Sequence, residues 1–194
     1  MTIDDVRSRL RTAALNKDEI HELDTIERFI IPIIEIAGWD INSIDPMYLK
    51  RGNRDNTSSN RRFDIALYCP REPAIPRFVF ECKKLSENIT ILGKGSSTNT
   101  SDDSDYIRQL RNDCLNPKFK FGANWTIPIL SNGVKWIIFK EAFTDTVRAT
   151  ENFTTNNVSD FIAAEADLDE GDFEAKIVTK LHPRNIPLAV DYDA

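Results

Sequence analysis

The chain has 194 residues, 41% of them hydrophobic, which is enough for one domain with a substantial buried core. Its net charge of −6 argues against a protein that coats nucleic acid in bulk, because such binding relies on Lys and Arg. No apolar run approaches the roughly 20 residues of a membrane span, and the first residues are acidic. We therefore expect no membrane segment, no secretory leader and a cytoplasmic location.

The cysteines predict neither a zinc site nor a disulfide framework. Cys69, Cys82 and Cys114 are odd in number and widely spaced, and they form no C-x-x-C pair. The only histidines that could join them are His21 and His182. Buried free thiols are the better interpretation.

Charge is distributed unevenly along the chain. Basic residues precede Asp64 in a loop rich in Gly, Asn and Ser, and more of them follow Glu81, whereas acidic residues collect between 165 and 172. A basic central segment is typical of a nuclease cleft and also of a solvated loop. The sequence leaves both interpretations open.

The first predicted element is a helix over residues 17–37. Apolar residues recur there at helical spacing: Leu23, Ile26, Ile30, Ile33, Ile34 and Ala37. Glu27 falls into this apolar stripe, where a carboxylate is costly unless something satisfies it. Glu27 is therefore either a site residue or an acid at the edge of the stripe that reaches solvent or an arginine. Pro32 should kink the helix or divide it into two pieces.

Three strands are predicted next, over residues 39–44, 63–69 and 77–82. A proline-rich turn joins the second to the third, so these two should pair antiparallel. Side chains alternate along a strand, which places Glu81 and Lys83 on one face and Cys82 on the other. If the strand that contains Asp64 pairs beside them, two carboxylates and an ammonium share one location. Such a set can hold a hard divalent cation and position a water for attack on a phosphodiester.

The rest of the chain predicts an insertion, three helices and a hairpin. The insertion covers residues 86–104, and a helix follows over 105–115. Strands over 126–130 and 134–139 should form a hairpin about Asn132-Gly133, a strong turn signal. Two further helices are predicted near 156–165 and over 173–181.

Five motifs in this order resemble a known family. Asp64, Glu81 and Lys83 have the spacing of the D-(x)n-E-x-K core of the PD-(D/E)XK nuclease superfamily. Four more resemble the N-terminal nuclease domain of type I restriction enzyme R subunits: Glu27-Arg28-Phe29-Ile30 with Ile31-Pro32, Ala37-Gly38-Trp39-Asp40, Ile107-Arg108-Gln109-Leu110, and Leu130-Ser131-Asn132-Gly133 with Trp136-Ile137-Ile138. The likeness covers roughly residues 20–140. Two positions depart from the pattern: Phe63 replaces the proline before the aspartate, and Asn112 or Asp113 replaces the tyrosine after the glutamine motif.

The resemblance implies an α/β fold with a restriction-endonuclease-like core, in which helices flank a central mixed β-sheet. One domain would span residues 1–194, with its core at about 17–140 and a partly acidic C-terminal extension over 141–194. The resemblance also implies that Asp64, Glu81 and the backbone carbonyl of Cys82 bind Mg²⁺, for which Mn²⁺ can substitute. Lys83 would orient the attacking water or help to deprotonate it. Glu27 would extend the metal shell, and Gln109 would hold a phosphate or order its helix.

The expected function is metal-dependent hydrolysis of DNA phosphodiester bonds by a restriction-type endonuclease. The chain contains no Walker loop, so we expect no ATPase motor of its own. DNA is the expected partner, together with other restriction or defence subunits or a second copy of the chain. The alternative function is a catalytically silent module of the same fold that binds nucleic acid or a protein. In a purely structural interpretation, Glu81 and Lys83 form an ordinary salt bridge on an exposed strand.

Overall fold

A computed structural model describes residues 1–40, 49–51, 64–69, 76–89, 126–140 and 160–185. These residues form one six-stranded sheet whose strands are ordered as in the sequence. The strands are β1 (Leu49–Arg51), β2 (Ile65–Tyr68), β3 (Pro76–Cys82), β4 (Ile127–Ser131), β5 (Lys135–Phe139) and β6 (Ile162–Asp167). Strands β3 and β4 are parallel and all other neighbours are antiparallel. The predicted α/β fold class with a central mixed sheet is confirmed.

Helix α1 (Ile3–Ala13) opens the chain and was not predicted. Its signals are nevertheless present in the sequence. Thr2 and Asp5 form a capping box, in which each side chain accepts a hydrogen bond from the other residue's amide. Every third or fourth residue of the helix is buried: Ile3, Val6, Leu10 and Ala13.

A bulged helix over residues 22–36 follows a 3₁₀ segment (Ala14–Glu19). It consists of α2 (Glu22–Thr25), a π turn (Ile26–Ile30) and α3 (Ile31–Ile36). Pro32 has no N–H and its ring would clash with the carbonyl four residues earlier in a regular helix. The π turn resolves this conflict, because the Ile31 amide donates to the Ile26 carbonyl five residues back. The helix predicted over 17–37 is confirmed, but it begins at Glu22.

The core lies between the helices and one face of the sheet. Strand residues Ile65, Phe78, Phe80 and Cys82 contribute to it. The ring of Trp136 makes edge-to-face contacts with Phe80 and Phe173. The opposite face of the sheet carries Asp64, Ala66, Val79 and Glu81, of which the last three are buried.

The two predicted strand pairs are confirmed. Strands β2 and β3 pair antiparallel with Ile65 opposite Phe80, and β4 and β5 form the predicted hairpin about residues 132 and 133. Gly133 adopts φ +83°, and a Cβ there would lie 3.0 Å from the Phe29 Cβ and 3.2 Å from the Thr25 Cγ2. The bulged helix therefore packs against the hairpin turn at a position that suits glycine.

Other predictions are corrected or lie outside the described ranges. The helix expected near 156–165 is wrong, because strand β6 begins at Ile162 and pairs antiparallel with β5. The helix over 173–181 is confirmed as a π turn (Glu174–Val178) and an α-helical turn (Thr179–Leu181). Trp39 is not in a strand, and the rest of the strand expected over 39–44 lies outside the described residues, as do most of the insertion and the helix over 105–115. Cys69 and Cys82 are buried free thiols, as predicted, and Cys114 is not described.

The part of the chain that the structure describes contains no helix that is both long and apolar enough to cross a bilayer.

Candidate active site

Asp64 lies at the start of β2 and reaches across to the end of β3. Its amide donates to the Phe80 carbonyl at 3.1 Å, which continues the pairing of the two strands by one residue. Its carboxylate Oδ2 accepts a hydrogen bond of 2.7 Å from the Cys82 amide. The antiparallel pairing therefore brings Asp64 beside the C-terminal end of β3, where Glu81 and Lys83 lie.

Glu81 and Lys83 lie on one face, as the alternation of the strand predicts. The two side chains form an ion pair between Lys83 Nζ and Glu81 Oε1, and the residues are only 2% and 7% exposed. Cys82 points to the opposite face and is fully buried in the core. A salt bridge on an exposed strand does not describe this pair, because both partners are withdrawn from water.

Burial is the largest cause that raises the pKa of Asp64, and the negative charge of Glu81 is the next. The hydrogen bond from the Cys82 amide lowers this pKa, and the charge of Glu22 raises it further. Together these effects raise the pKa of Asp64 from 3.8 to about 7. Asp64 is therefore only partly ionised near neutral pH.

Lys83 keeps its proton at this site. Burial, the largest single cause, lowers the pKa of Lys83, but the charge and hydrogen bond of Glu81 raise it, with further contributions from Glu22 and Asp64. The net result is a pKa above the usual 10.5. Lys83 is therefore an ammonium that can donate hydrogen bonds to an anion, and it is poorly suited to accept a proton from water.

The thiol of Cys82 takes no part in this chemistry. Burial raises the pKa of Cys82 well above its usual range, and the nearby charges of Asp64 and Glu81 raise it further. A neutral thiol directed into the core is a packing group. The backbone of Cys82 is well placed beside Asp64, and ligation through its carbonyl stays a prediction.

The helix carboxylate close to the site is Glu22. Its charge contributes to raising the pKa values of both Asp64 and Lys83. Glu27 is exposed instead, as is Leu23 one turn before it, so the prediction that Glu27 lies in the buried stripe is wrong. The predicted helix began at residue 17, so no signal in the sequence marked Glu22 as a residue of this site. Gln109 lies outside the described residues.

The donor set fits a hard divalent cation. Asp64, Glu81 and Glu22 bring three potential negative charges against the single positive charge of Lys83. Carboxylate oxygens are the ligands that Mg²⁺ and Mn²⁺ prefer, and a divalent ion would offset the excess negative charge. In the described ranges no three His, Cys, Asp or Glu side chains are grouped closely enough to hold an ion by themselves. A bound ion would therefore take further ligands from the main chain and from water, as Mg²⁺ usually does.

Comparisons of this chain with protein-family models, with curated proteins and with solved structures returned no match. The nuclease resemblance therefore rests on the sequence motifs.

The raised pKa of Asp64 predicts a pH-dependent loss of stability that Asp64→Asn removes. Between pH 3.8 and about 7, folded Asp64 retains a proton that the unfolded chain has lost. The free energy of unfolding therefore falls as pH rises through this range. Without metal, we expect Asp64→Asn to be more stable than the wild type by at least about 1 kcal/mol at pH 8. We expect almost no difference at pH 4, where Asp64 is protonated in the folded state.

Urea unfolding at several pH values in the presence of EDTA measures this difference. Asp18→Asn, which changes an exposed carboxylate of the 3₁₀ segment, is the matched control for the loss of one negative charge. A constant difference in stability between Asp64→Asn and the wild type from pH 4 to 8 would contradict the raised pKa.

Proposed function

We propose that this protein is a Mg²⁺-dependent endonuclease that hydrolyses DNA phosphodiester bonds. One observation carries the proposal: the Asp64 carboxylate binds the amide of Cys82, which lies between Glu81 and Lys83, and Asp64 is close enough to Glu81 for that charge to raise its pKa. Carboxylates that are withdrawn from water and repel each other reduce stability. A module that only binds a partner has no need of them, whereas a metal-dependent hydrolase does. The order of the sequence motifs supports the same function.

Asp64 and Glu81 would hold the ion, with the Cys82 carbonyl as a further ligand. The ion would polarise the phosphoryl group and make the attacking water more acidic. Hydrolysis adds water across one P–O bond and leaves a phosphate monoester and a hydroxyl group. Lys83 would stabilise the negative charge that develops on the phosphate. An ammonium has three N–H donors, so Lys83 can keep its bond to Glu81 and still donate to a phosphate oxygen.

The broader setting of the proposal follows the family resemblance. We propose DNA as the substrate and a restriction or defence system as the context, in the cytoplasm. Other subunits of such a system, or a second copy of this chain, would be the protein partners. A motor, where one is needed, would come from another subunit.

One observation favours a second candidate, the catalytically silent module. The ion pair with Lys83 satisfies Glu81 without any metal, as a structural pair inside a fold would. A protein of this kind would use the same surfaces to bind nucleic acid or a protein without cleaving it.

Cleavage and metal binding, measured on the same preparation, distinguish the two candidates. We expect nicking or cutting of DNA with Mg²⁺ or Mn²⁺, and full inhibition by EDTA. Mn²⁺ should also raise the thermal stability of the wild type, because the ion binds only the folded site. Asp64→Ala, purified in the same way, should lack both effects and so controls for contaminating nucleases.

Two results would contradict the proposal. Activity that persists in EDTA excludes the metal mechanism. Absence of cleavage on duplex DNA, single-stranded DNA and RNA, combined with metal-independent nucleic-acid binding, establishes the silent module.

A further inference from the structure

Thr25, at the end of the first segment of the bulged helix, is a fully buried polar residue. Its hydroxyl Oγ1 donates to the His21 carbonyl at 3.2 Å and accepts a hydrogen bond of 3.0 Å from the Leu85 amide. The same His21 carbonyl also accepts the Thr25 amide, so it does not depend on the hydroxyl alone. The Leu85 bond, in contrast, joins the bulged helix to a different part of the chain.

The two partners of this hydroxyl adjoin two charged groups of the candidate active site. His21 directly precedes Glu22, and Leu85 follows Lys83 by two residues. A single side chain therefore links the backbone beside Glu22 to the backbone that leaves the site after Lys83. Both connections are short, because His21 is one residue and Leu85 two residues from the charged group, or at most about 4 Å and 7 Å between Cα atoms.

Other bonds hold the segment after Lys83 to the hairpin. The Lys83 amide donates to the Ser131 carbonyl at 2.9 Å, and the Asn132 side chain donates to the Glu87 carbonyl at 2.7 Å. Of the bonds named for this segment, the one to Thr25 reaches the bulged helix. The Thr25 methyl group also packs toward the hairpin turn, 3.2 Å from the place where a Cβ at Gly133 would lie.

We infer that Thr25 is a positioning residue of the candidate active site, whose hydroxyl fixes Glu22 relative to Lys83. This inference rests on the proposed function. The physical reason is that catalysis depends on charges held in one geometry, and a displacement of about 1 Å at such a site can reduce the rate about 100-fold. Residues that orient charged groups in this way typically change activity without contacting the substrate.

Three substitutions separate the hydroxyl from the rest of the side chain. Thr25→Val keeps the shape and removes the hydroxyl, which leaves the Leu85 amide without this acceptor. Thr25→Ser keeps the hydroxyl and removes the methyl group. Thr12→Val is the matched control, because the Thr12 hydroxyl also donates to a carbonyl four residues earlier, that of Ser8, on the exposed side of α1.

With Mn²⁺ and DNA we expect Thr25→Val to lower kcat about 10- to 100-fold while KM stays within about twofold. Thr25→Ser should retain kcat within about threefold of the wild type, and Thr12→Val should leave it unchanged. Hydrogen exchange at the Leu85 amide should accelerate in Thr25→Val and stay slow in Thr25→Ser. This last measurement does not depend on catalysis.

An active wild type together with an equally active Thr25→Val overturns the inference and leaves the proposed function intact. A folded Thr25→Ser that is as impaired as Thr25→Val also overturns it, because the methyl group would then be decisive. If Thr25→Val does not fold, Thr25→Ser decides: near-normal kcat supports the inference, and a large loss overturns it. An inactive wild type that Mn²⁺ does not stabilise is a failure of the proposed function itself, and the inference falls with it.

Discussion

Lys83→Met is expected to lower the rate of metal-dependent DNA cleavage by about 10²- to 10³-fold, the usual cost of losing one preorganised donor to a developing negative charge. Methionine retains the length and apolar stem of the side chain but not the ammonium. Because Lys83 stays protonated at neutral pH, the loss should appear as a lower kcat across the neutral range. The pKa of Asp64 should also rise further, because the charge of Lys83 lowers it, so the remaining activity should appear at higher pH. Single-turnover cleavage at several pH values measures both quantities.

The same substitution should reduce stability, because it removes the partner of a buried carboxylate. Breaking a buried ion pair on one side costs up to about 3–5 kcal/mol. Glu81→Gln in the same chain removes the uncompensated charge, so the double variant should recover most of this stability. That recovery would show that the unpaired Glu81 carboxylate causes the loss of stability in Lys83→Met. Glu81 is itself a proposed metal ligand, so the role of Lys83 in cleavage is judged on Lys83→Met alone, at a temperature where the variant is folded.

Lys84→Met is the matched control, because Lys84 is the next residue along the chain and is exposed. We expect its cleavage rate to stay within a few-fold of the wild type, since a single surface cation contributes only a weak, salt-dependent attraction to DNA. If folded Lys83→Met cleaved DNA as fast as the wild type, Lys83 would have no part in the chemistry.

The strand elements of this site were predictable because their signals are local. Side chains alternate on a strand, so Glu81 and Lys83 had to share a face and Cys82 had to oppose them. A short proline-rich connection had to return the chain antiparallel, which placed Asp64 beside them. The charges and burial at the site were not predictable, because they depend on which elements cover the sheet.

The face of the bulged helix was harder to predict because its periodicity changes within the helix. A regular 3.6-residue repeat aligns Leu23 and Glu27 with Ile30. The π turn adds one residue to a turn, so the residues before it are rotated relative to those after it. Leu23 is consequently 51% exposed, and Ile30 is fully buried. The proline that requires this adjustment is visible in the sequence, but the form of the adjustment is not.

Strand β6 was mistaken for a helix, because packing in the sheet overrides the helix preference of its residues. Its sequence Ile-Ala-Ala-Glu-Ala-Asp is rich in good helix formers. In the sheet, however, Ala166 lies opposite Trp136 and Ala164 opposite Ile138. Small side chains pair there with large ones of the neighbouring strand, and this packing decides the structure.

The assignment of the helix carboxylate leads to the last prediction, which compares Glu22→Gln with Glu27→Gln. Glu22 contributes negative charge close to Asp64 and Lys83, whereas Glu27 is exposed on the same helix. Removing a nearby negative charge should weaken Mn²⁺ binding and cleavage about 10- to 100-fold, as is usual for groups just outside a metal's ligands. Glu27→Gln should change neither.

Calorimetric titration with Mn²⁺ between pH 6 and 8 tests this comparison. A metal must displace the proton of Asp64, so in the wild type affinity should rise with pH up to about 7 and then level off. In Glu22→Gln the pKa of Asp64 should fall, because one of the charges that raise it is gone, and the rise in affinity should move to lower pH. A weaker affinity in Glu27→Gln, with Glu22→Gln unaffected, would restore Glu27 to the site and show that the helix presents its other face to the metal.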